Sequence, residues 1–259
     1  MITTLLAALA AVAGLQVVVW AISVKRRDAS IVDIAWGLSF TLITWVGFAV
    51  GAGAGPRSWL LAVLVSVWGV RLAGYLARRN LPHGEDPRYA ALRRKRPDTF
   101  ALWSLGGVFL LQAVLAWVVA LPVTLAMADP TPASLSPFTW VGVALWVVGL
   151  FFEAVGDAQL ARFKADPANK GAVMDRGLWR YTRHPNYFGD FCVWWGFGLI
   201  SLAAPWGWLA LLGPVLMSVL LLRVSGVAML EKTIGSRRPG YAEYVRRTSA
   251  FFPRPPKKA

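Results

Sequence analysis

Cysteine is nearly missing. Cys192 is the only one in 259 residues, so no internal disulfide framework exists. It lies in an apolar run and reads as an inert core thiol. Histidine is almost as scarce: His83 and His184 stand far apart, neither has a cysteine or acidic residue at ligand spacing, and no metal site is visible. Charge is the third shortage, at 15% of residues against about a quarter in an ordinary soluble domain. Acids are the rarer sign, 13 against 27 lysines and arginines, which leaves a net charge of +14. No internal repeat and no separable soluble domain is visible.

What fills the chain is apolar: 57% of it is hydrophobic, and that predicts an all-α integral membrane protein crossing the bilayer several times. Fourteen tryptophans suit interfacial belts as well as packing between spans. A first run, about Ile2–Val24, is too long for a signal h-region and reads as a retained span, closed by Lys25-Arg26-Arg27. Further spans are expected at about Ile31–Val50, Trp59–Ala77, Trp103–Ala126, Phe138–Phe163, Asn186–Ala203 and Trp208–Leu230. The connector from Arg78 to about Thr99 has few apolar positions and predicts a short amphipathic or irregular segment on the membrane surface.

The basic residues fit that count. All 27 except Arg57, Arg71 and Arg223 fall in four clusters, and seven transmembrane helices place all four on one face. The positive-inside rule makes that face cytoplasmic, with the N-terminus outside and the C-terminus in the cytoplasm. Basic loops between spans suit an anionic membrane face, so no nucleic-acid partner is expected. Spans one to four (1–130) form an N-terminal region on the lipid-substrate side. Residues 131–259 hold spans five to seven, the cytoplasmic loops and the tail.

The chain is organised around Arg176-Gly-Leu-Trp179-Arg-Tyr-Thr-Arg183-His184-Pro-Asn186-Tyr-Phe-Gly-Asp190. Pro185 suits the first position of a helix, where its missing N–H costs nothing. The positive end of that helix, crowded by Arg176, Arg180, Arg183 and His184, would stabilise a pyrophosphate. A basic loop anchored to lipid headgroups explains the arginines but not Asn186 and Asp190, one turn apart in an apolar helix.

Other polar groups sit where lipid is expected, and such groups are expensive. Span five ends with Glu153, Asp157, Gln159, Arg162 and Lys164, whose carboxylates and amides suit ribose hydroxyls and whose cations suit a phosphate; an internal ion pair capping the helix is the alternative. Arg223 in span seven needs an anion, either a side chain such as Asp190 or a ligand phosphate. Asp33 in span two and Arg71 in span three, one turn from Tyr75, form either a catalytic pair or a buried salt bridge. In the tail, Tyr241 and Tyr244 alternate with arginines, an arrangement for stacking a base and clamping phosphates.

Arg183-His-Pro-Asn-Tyr-Phe-Gly-Asp190 resembles the RHPNYxGD segment of Δ14-sterol reductases and their relatives. Asp157-x-Gln159-xxx-Phe163-Lys164-xx-Pro167 is similar to the stretch in those reductases that holds the NADPH phosphates. With Arg223 and the tail Tyr241-xx-Tyr244…Phe252-Pro253, the likeness covers about Trp140–Pro253, and the overall likeness is to bacterial steroid 5α-reductase-like membrane proteins. The resemblance implies NADPH as cofactor, a steroid or other lipid entering from the bilayer, and residence in the inner membrane of a bacterium. It implies cofactor-binding roles for Asp157, Gln159, Arg162, Lys164, Trp179, Arg183, His184, Asn186, Asp190, Arg223, Tyr241 and Tyr244. Asp33 and Tyr75 are the candidate polarising or proton-donating groups. Span two lacks the Gln-xx-Glu pair that engages the steroid 3-oxo group in human-type 5α-reductases, and carries Asp33-Ile-Ala-Trp36-Gly-Leu-Ser39 instead. A second enzyme class, the isoprenylcysteine-carboxyl-methyltransferase-like proteins, shares the RHPxYxG core but uses S-adenosylmethionine. Those proteins show two adjacent glutamates after span seven, where this chain has Glu231-Lys232.

Overall fold

The computed structural model describes residues 1–51, 55–129, 135–202, 204, 206–224, 227, 231 and 240–257. Among them the chain is all helical, without a strand. Five helices are long and apolar enough to cross a membrane: α1 (Ile2–Arg26), α2 (Ile31–Val50), α3 (Pro56–Asn80, extended by a further turn to His83), α5 (Phe100–Val119) and α7 (Pro137–Ala165). Between and after them lie α4 (Pro87–Arg94), α6 (Leu121–Met127), α8 (Pro185–Ser201), α9 (Leu209–Val224) and α10 (Tyr241–Arg247). The chain divides into two compact units, Met1–Ser136 with Ser201–Gly213, and Pro137–Ile200 with Pro214–Ala259.

In the first unit α2 packs against both α1 and α3. The contact with α3 is close because Gly37 and Gly69 face each other: a Cβ on either would collide with the backbone carbonyl of the other. Polar ties cross the apolar interior. Gln16 donates to Ser39 at 3.2 Å between α1 and α2, and Trp45 donates to Ser66 at 2.9 Å between α2 and α3. Arg57, one of the three cations outside the basic clusters, pairs with Asp129 at 2.5 Å, both side chains almost wholly buried.

Two expected spans differ in detail. The predicted Trp103–Ala126 helix begins earlier, passes through a π-helical stretch at Leu105–Leu110, and breaks at Ala120. Pro122 explains the break, since it has no N–H to give the Val118 carbonyl four residues back and its ring crowds that carbonyl. The last apolar helix, predicted from Trp208 to Leu230, is described from Leu209 to Val224; 225–226 and 228–230 lie outside the described residues. So do most of the Pro/Ser loop, at 130–134, and the basic run 232–239.

In the second unit the seam between α7 and α8 is made of glycines. Gly142, Gly149 and Gly156 recur every seven residues on α7 and form one stripe. A Cβ on Gly142 would lie 2.7 Å from the Gly196 carbonyl, and one on Gly149 2.6 Å from that of Gly189. Gly156 lies against Pro185 and Asn186. The two backbones therefore touch along this stripe, a contact that membrane helices use because lipid gives no hydrophobic drive between them.

Candidate functional site

α8 begins at Pro185, as its ring predicts, and His184 accepts the first-turn hydrogen bond from Phe188 N–H at 3.0 Å. Because α7 and α8 touch, their polar residues meet. Asn186 donates its carboxamide N–H to Asp157 Oδ1 at 3.2 Å, with Asp157 buried. Asp190 follows one turn on, half-buried, and Glu153 is buried one turn before Asp157. Lys164, at the exposed end of α7, does not share the buried part of that face.

Gln159 and Trp179 are joined through the one-turn helix Gly177–Arg180. Gln159 Oε1 accepts from Leu178 N–H at 2.9 Å, and the Trp179 indole donates to the Gly156 carbonyl at 3.0 Å. Gly177 is required here: its φ is +58°, and a Cβ would sit 2.5 Å from the Gln159 carboxamide. These two side chains fix the organising stretch onto α7.

Arg183 and His184 converge on Glu231. Arg183 Nε donates to Glu231 Oε1 at 2.8 Å, and His184 Nε2 lies 3.2 Å from the same oxygen. Arg183 Nη1 also donates to the carbonyls of Thr248 and Val245, at 2.8 and 3.2 Å. The hydrogen bond from His184, with that from Arg183, holds the Glu231 carboxyl down at about 2, against the upward push of burial. The imidazole stacks on the Tyr187 ring at 5.6 Å. Arg183 thus ties the stretch to the tail; its charge is already matched by a carboxylate.

Tyr241 and Tyr244 on α10 are buried rather than displayed. Tyr244 donates its hydroxyl to the Trp179 carbonyl at 2.5 Å, and burial raises the pKa of both phenols. The tail then runs back along the stretch: Arg183 N–H donates to Ser249 O at 2.9 Å, Thr182 donates its hydroxyl to Phe251 O at 2.7 Å, and Arg254 N–H donates to Tyr181 O at 3.0 Å. Arg162 and Arg223 are not drawn in. Both are exposed and neither makes an ion pair with a described residue, so of the two partners open to Arg223 the Asp190 side chain is not the one it takes.

In the first unit Asp33 takes partners from the connector rather than Arg71 or Tyr75. Tyr89, on α4, donates its hydroxyl to Asp33 Oδ1 at 2.8 Å, and Arg88 Nη2 donates to Oδ2 at 3.0 Å. Burial first, and then the Asp33 carboxylate, push the Tyr89 phenol far above its ordinary value. α4 is capped by Asp86, which accepts from Arg88 N–H at 2.9 Å ahead of Pro87. Glu85 accepts from Ala29 N–H and from Arg93, at 2.8 and 2.7 Å, and these bonds outweigh burial to keep its carboxyl below the usual range. Tyr75 is half-buried, with the Arg79 guanidinium over its ring at 5.7 Å. Sequence reasoning missed Arg88 and Tyr89. The Asp86-Pro87 cap signature locates their helix, but nothing in the sequence says which buried carboxylate it covers.

The fold and these polar seams define a multi-pass membrane protein whose buried carboxylates and amides are held by close helix contact. The chain belongs to the family described as protein of unknown function DUF1295, matched over residues 19–248, which is part of the steroid 5α-reductase-like superfamily. It is similar to a Schizosaccharomyces pombe protein described as uncharacterized, 25% identical over 92% of this chain and 76% of that one. A shorter similarity joins it to a probable O-methyltransferase, ustE, of Ustilaginoidea virens, 37% identical over 23% of this chain and 20% of that one. No solved structure matches.

Proposed function

We propose that the protein is a membrane reductase that uses NADPH to saturate an activated C=C bond of a steroid or other lipid. Membership of the superfamily favours this chemistry, and one observation carries it to particular atoms: the Asp157–Asn186 pair at the head of α8, beside Arg183 and His184. The donor set suits a dinucleotide. A carboxylate and a carboxamide together offer acceptor and donor to ribose or amide groups, while the surrounding arginines suit phosphate. Bound NADPH would supply the hydride. The chain's residues hold and orient it. Gln159 and Trp179 fix the organising stretch, Glu231 fixes Arg183 and His184, and Asp157 fixes the Asn186 carboxamide. Arg162, Lys164, Asp190, Arg223, Tyr241 and Tyr244 complete the proposed nucleotide set.

Asp33 and Tyr75 are proposed for polarising a lipid carbonyl conjugated to the alkene, and Tyr89 joins them as the hydroxyl that Asp33 holds. A phenol of raised pKa keeps its proton at neutral pH, and a lipid carbonyl would have to compete with Asp33 for that one O–H. The proposed topology has seven spans in a cell membrane, N-terminus outside, with α8 and α9 as the shorter ones. α8, at 17 residues, reaches about 26 Å, near the lower limit for crossing.

The short similarity to an O-methyltransferase favours a second reading, methyl transfer from S-adenosylmethionine. One experiment separates the two: equilibrium binding of NADPH and of S-adenosylmethionine to the detergent-extracted protein, followed by absorbance at the reduced-nicotinamide band with conjugated lipid enones. NADPH binding and enone-dependent oxidation are expected. Binding of S-adenosylmethionine alone would overturn the reductase.

A further inference from the structure

The second unit carries a cleft of about 420 Å³ that shares Gly177, Tyr244 and Thr248 with the arrangement above, while its charged lining has no role there. Three separate segments wall it. Arg176 and Arg180 come from the organising stretch, Tyr244 and Arg247 from α10, and Lys257 from the tail that returns along that stretch. The walls are held by backbone as well as side chains: Tyr244 is bonded to the Trp179 carbonyl, and Lys257 N–H donates to Arg247 O at 3.0 Å. The cleft is thus a built feature of the tail's return, and deleting any one segment would open it.

Its charge is one-sided. Four cations line it and Asp175 is the only acid among the lining residues. Asp175 lies 3.6 Å from Arg247, which also faces Glu243 at 3.6 Å. Arg176, Arg180 and Lys257 make no ion pair with any described residue. Three cations facing one concavity repel each other, an arrangement that an anion of matching charge stabilises. Two guanidiniums and an ammonium present forked and point donors to tetrahedral oxygens, and the chemistry that uses them together is phosphate with more than one negative charge. A carboxylate or a phosphodiester, with one charge, matches fewer of them.

We propose that this cleft binds a phosphate monoester dianion, gripped by Arg176, Arg180, Arg247 and Lys257. Two ligands bring that group to a membrane surface. One is a nucleotide with a ribose phosphate, and this source rests on the NADPH reading above. The other is the headgroup of a phosphatidic-acid-type lipid, which does not. In the nucleotide case the discrimination of NADPH from NADH belongs to this cleft and not to Arg162 and Lys164.

The test is a thermal-shift and equilibrium-titration series on the full chain in neutral detergent, for wild type and Arg176→Gln/Arg180→Gln. Both arginines are exposed and make no ion pair with a described residue, so the variant is expected to fold. Two probe pairs differ mainly in the monoester: NADP+ against NAD+, which lacks the 2′-phosphate, and dioctanoyl phosphatidic acid against dioctanoyl phosphatidylglycerol. The expected result is that one monoester binds at least about tenfold tighter than its control, and that the variant loses this advantage. Preference for NADP+ over NAD+ assigns the nucleotide; preference for phosphatidic acid alone assigns the lipid. A wild-type preference that survives in the variant overturns the cleft and leaves the NADPH reading standing. No preference for either monoester overturns the inference outright, while the NADPH titration above still decides the reductase reading on its own. Lys257→Gln gives a second check, since a weakening confined to the monoester probes is expected.

Discussion

Asn186 and Asp157 stand 29 residues apart and meet at 3.2 Å because the helices that carry them touch at glycines. Close approach at Gly149 and Gly156 leaves no room for side chains between the backbones, so short polar groups reach across. The polar pair is a consequence of the glycine stripe.

Asn186→Ala should therefore separate positioning from packing. The side chain is half-buried and small, and its loss removes one hydrogen bond, about 1 kcal/mol of stability. The proposed nucleotide role predicts a larger effect on ligand: NADPH affinity should drop about tenfold or more. Apo and NADPH-loaded melting temperatures measure both. A fall in apo stability with an unchanged NADPH shift would remove Asn186 from the cofactor site.

The stripe itself can be filled. A Cβ on Gly189 would lie 2.5 Å from Glu153 N–H and 2.8 Å from the Glu153 Cβ, neither of which can move without shifting α7. Gly189→Val should cost at least about 1–3 kcal/mol through overpacking. Gly14, with open space around it, is the control, and Gly14→Ala should leave the melting temperature almost unchanged. Equal effects at the two positions would contradict the close contact.

The Arg57–Asp129 pair offers a test in the first unit. Both groups are almost fully buried, so removing one leaves an uncompensated charge. Arg57→Met should destabilise by about 3–5 kcal/mol, and Arg57→Met with Asp129→Leu should recover much of that loss. Denaturation in mixed micelles would report both, and an unaffected Arg57→Met would show the pair to be idle.

Glu231 sets a pH dependence. Its carboxyl lies at about 2 in the fold against an ordinary 4.5, so its contribution is complete above about 4.5 and is lost as pH falls toward 2. Glu231→Gln should be less stable than wild type at neutral pH, and the difference should close between those two values. If the two stability curves run parallel down to pH 2, Glu231 does not anchor Arg183 and His184.

Cysteines placed at Ser134 and Lys95, in a Cys192→Ser background, check the topology. They should label from opposite sides of the membrane. Labelling from one side would reject the seven-span count.

The sequence by itself determined the class of protein, the long apolar helices and the start of α8. Hydrophobic runs of that length admit only helices in a bilayer, and Pro185 has a fixed φ and no N–H to lose, so both are local properties of the chain. The family was legible for a similar reason, because Arg183-His-Pro-Asn186 and Asp190 are contiguous. Partners were not. That Asp33 would take Arg88 and Tyr89 instead of Arg71 or Tyr75 depends on how the connector turns back over the start of α2. Arg183 looked like a phosphate ligand and is matched by Glu231, and Tyr244 looked like a stacking platform and is bonded to Trp179. In each case the side chain's chemistry was readable, but the distance that decides what it does was set by tertiary contacts. The basic cleft is the extreme example: its walls come from three segments up to about 80 residues apart, and the cations stand together because the tail returns along the stretch before α8.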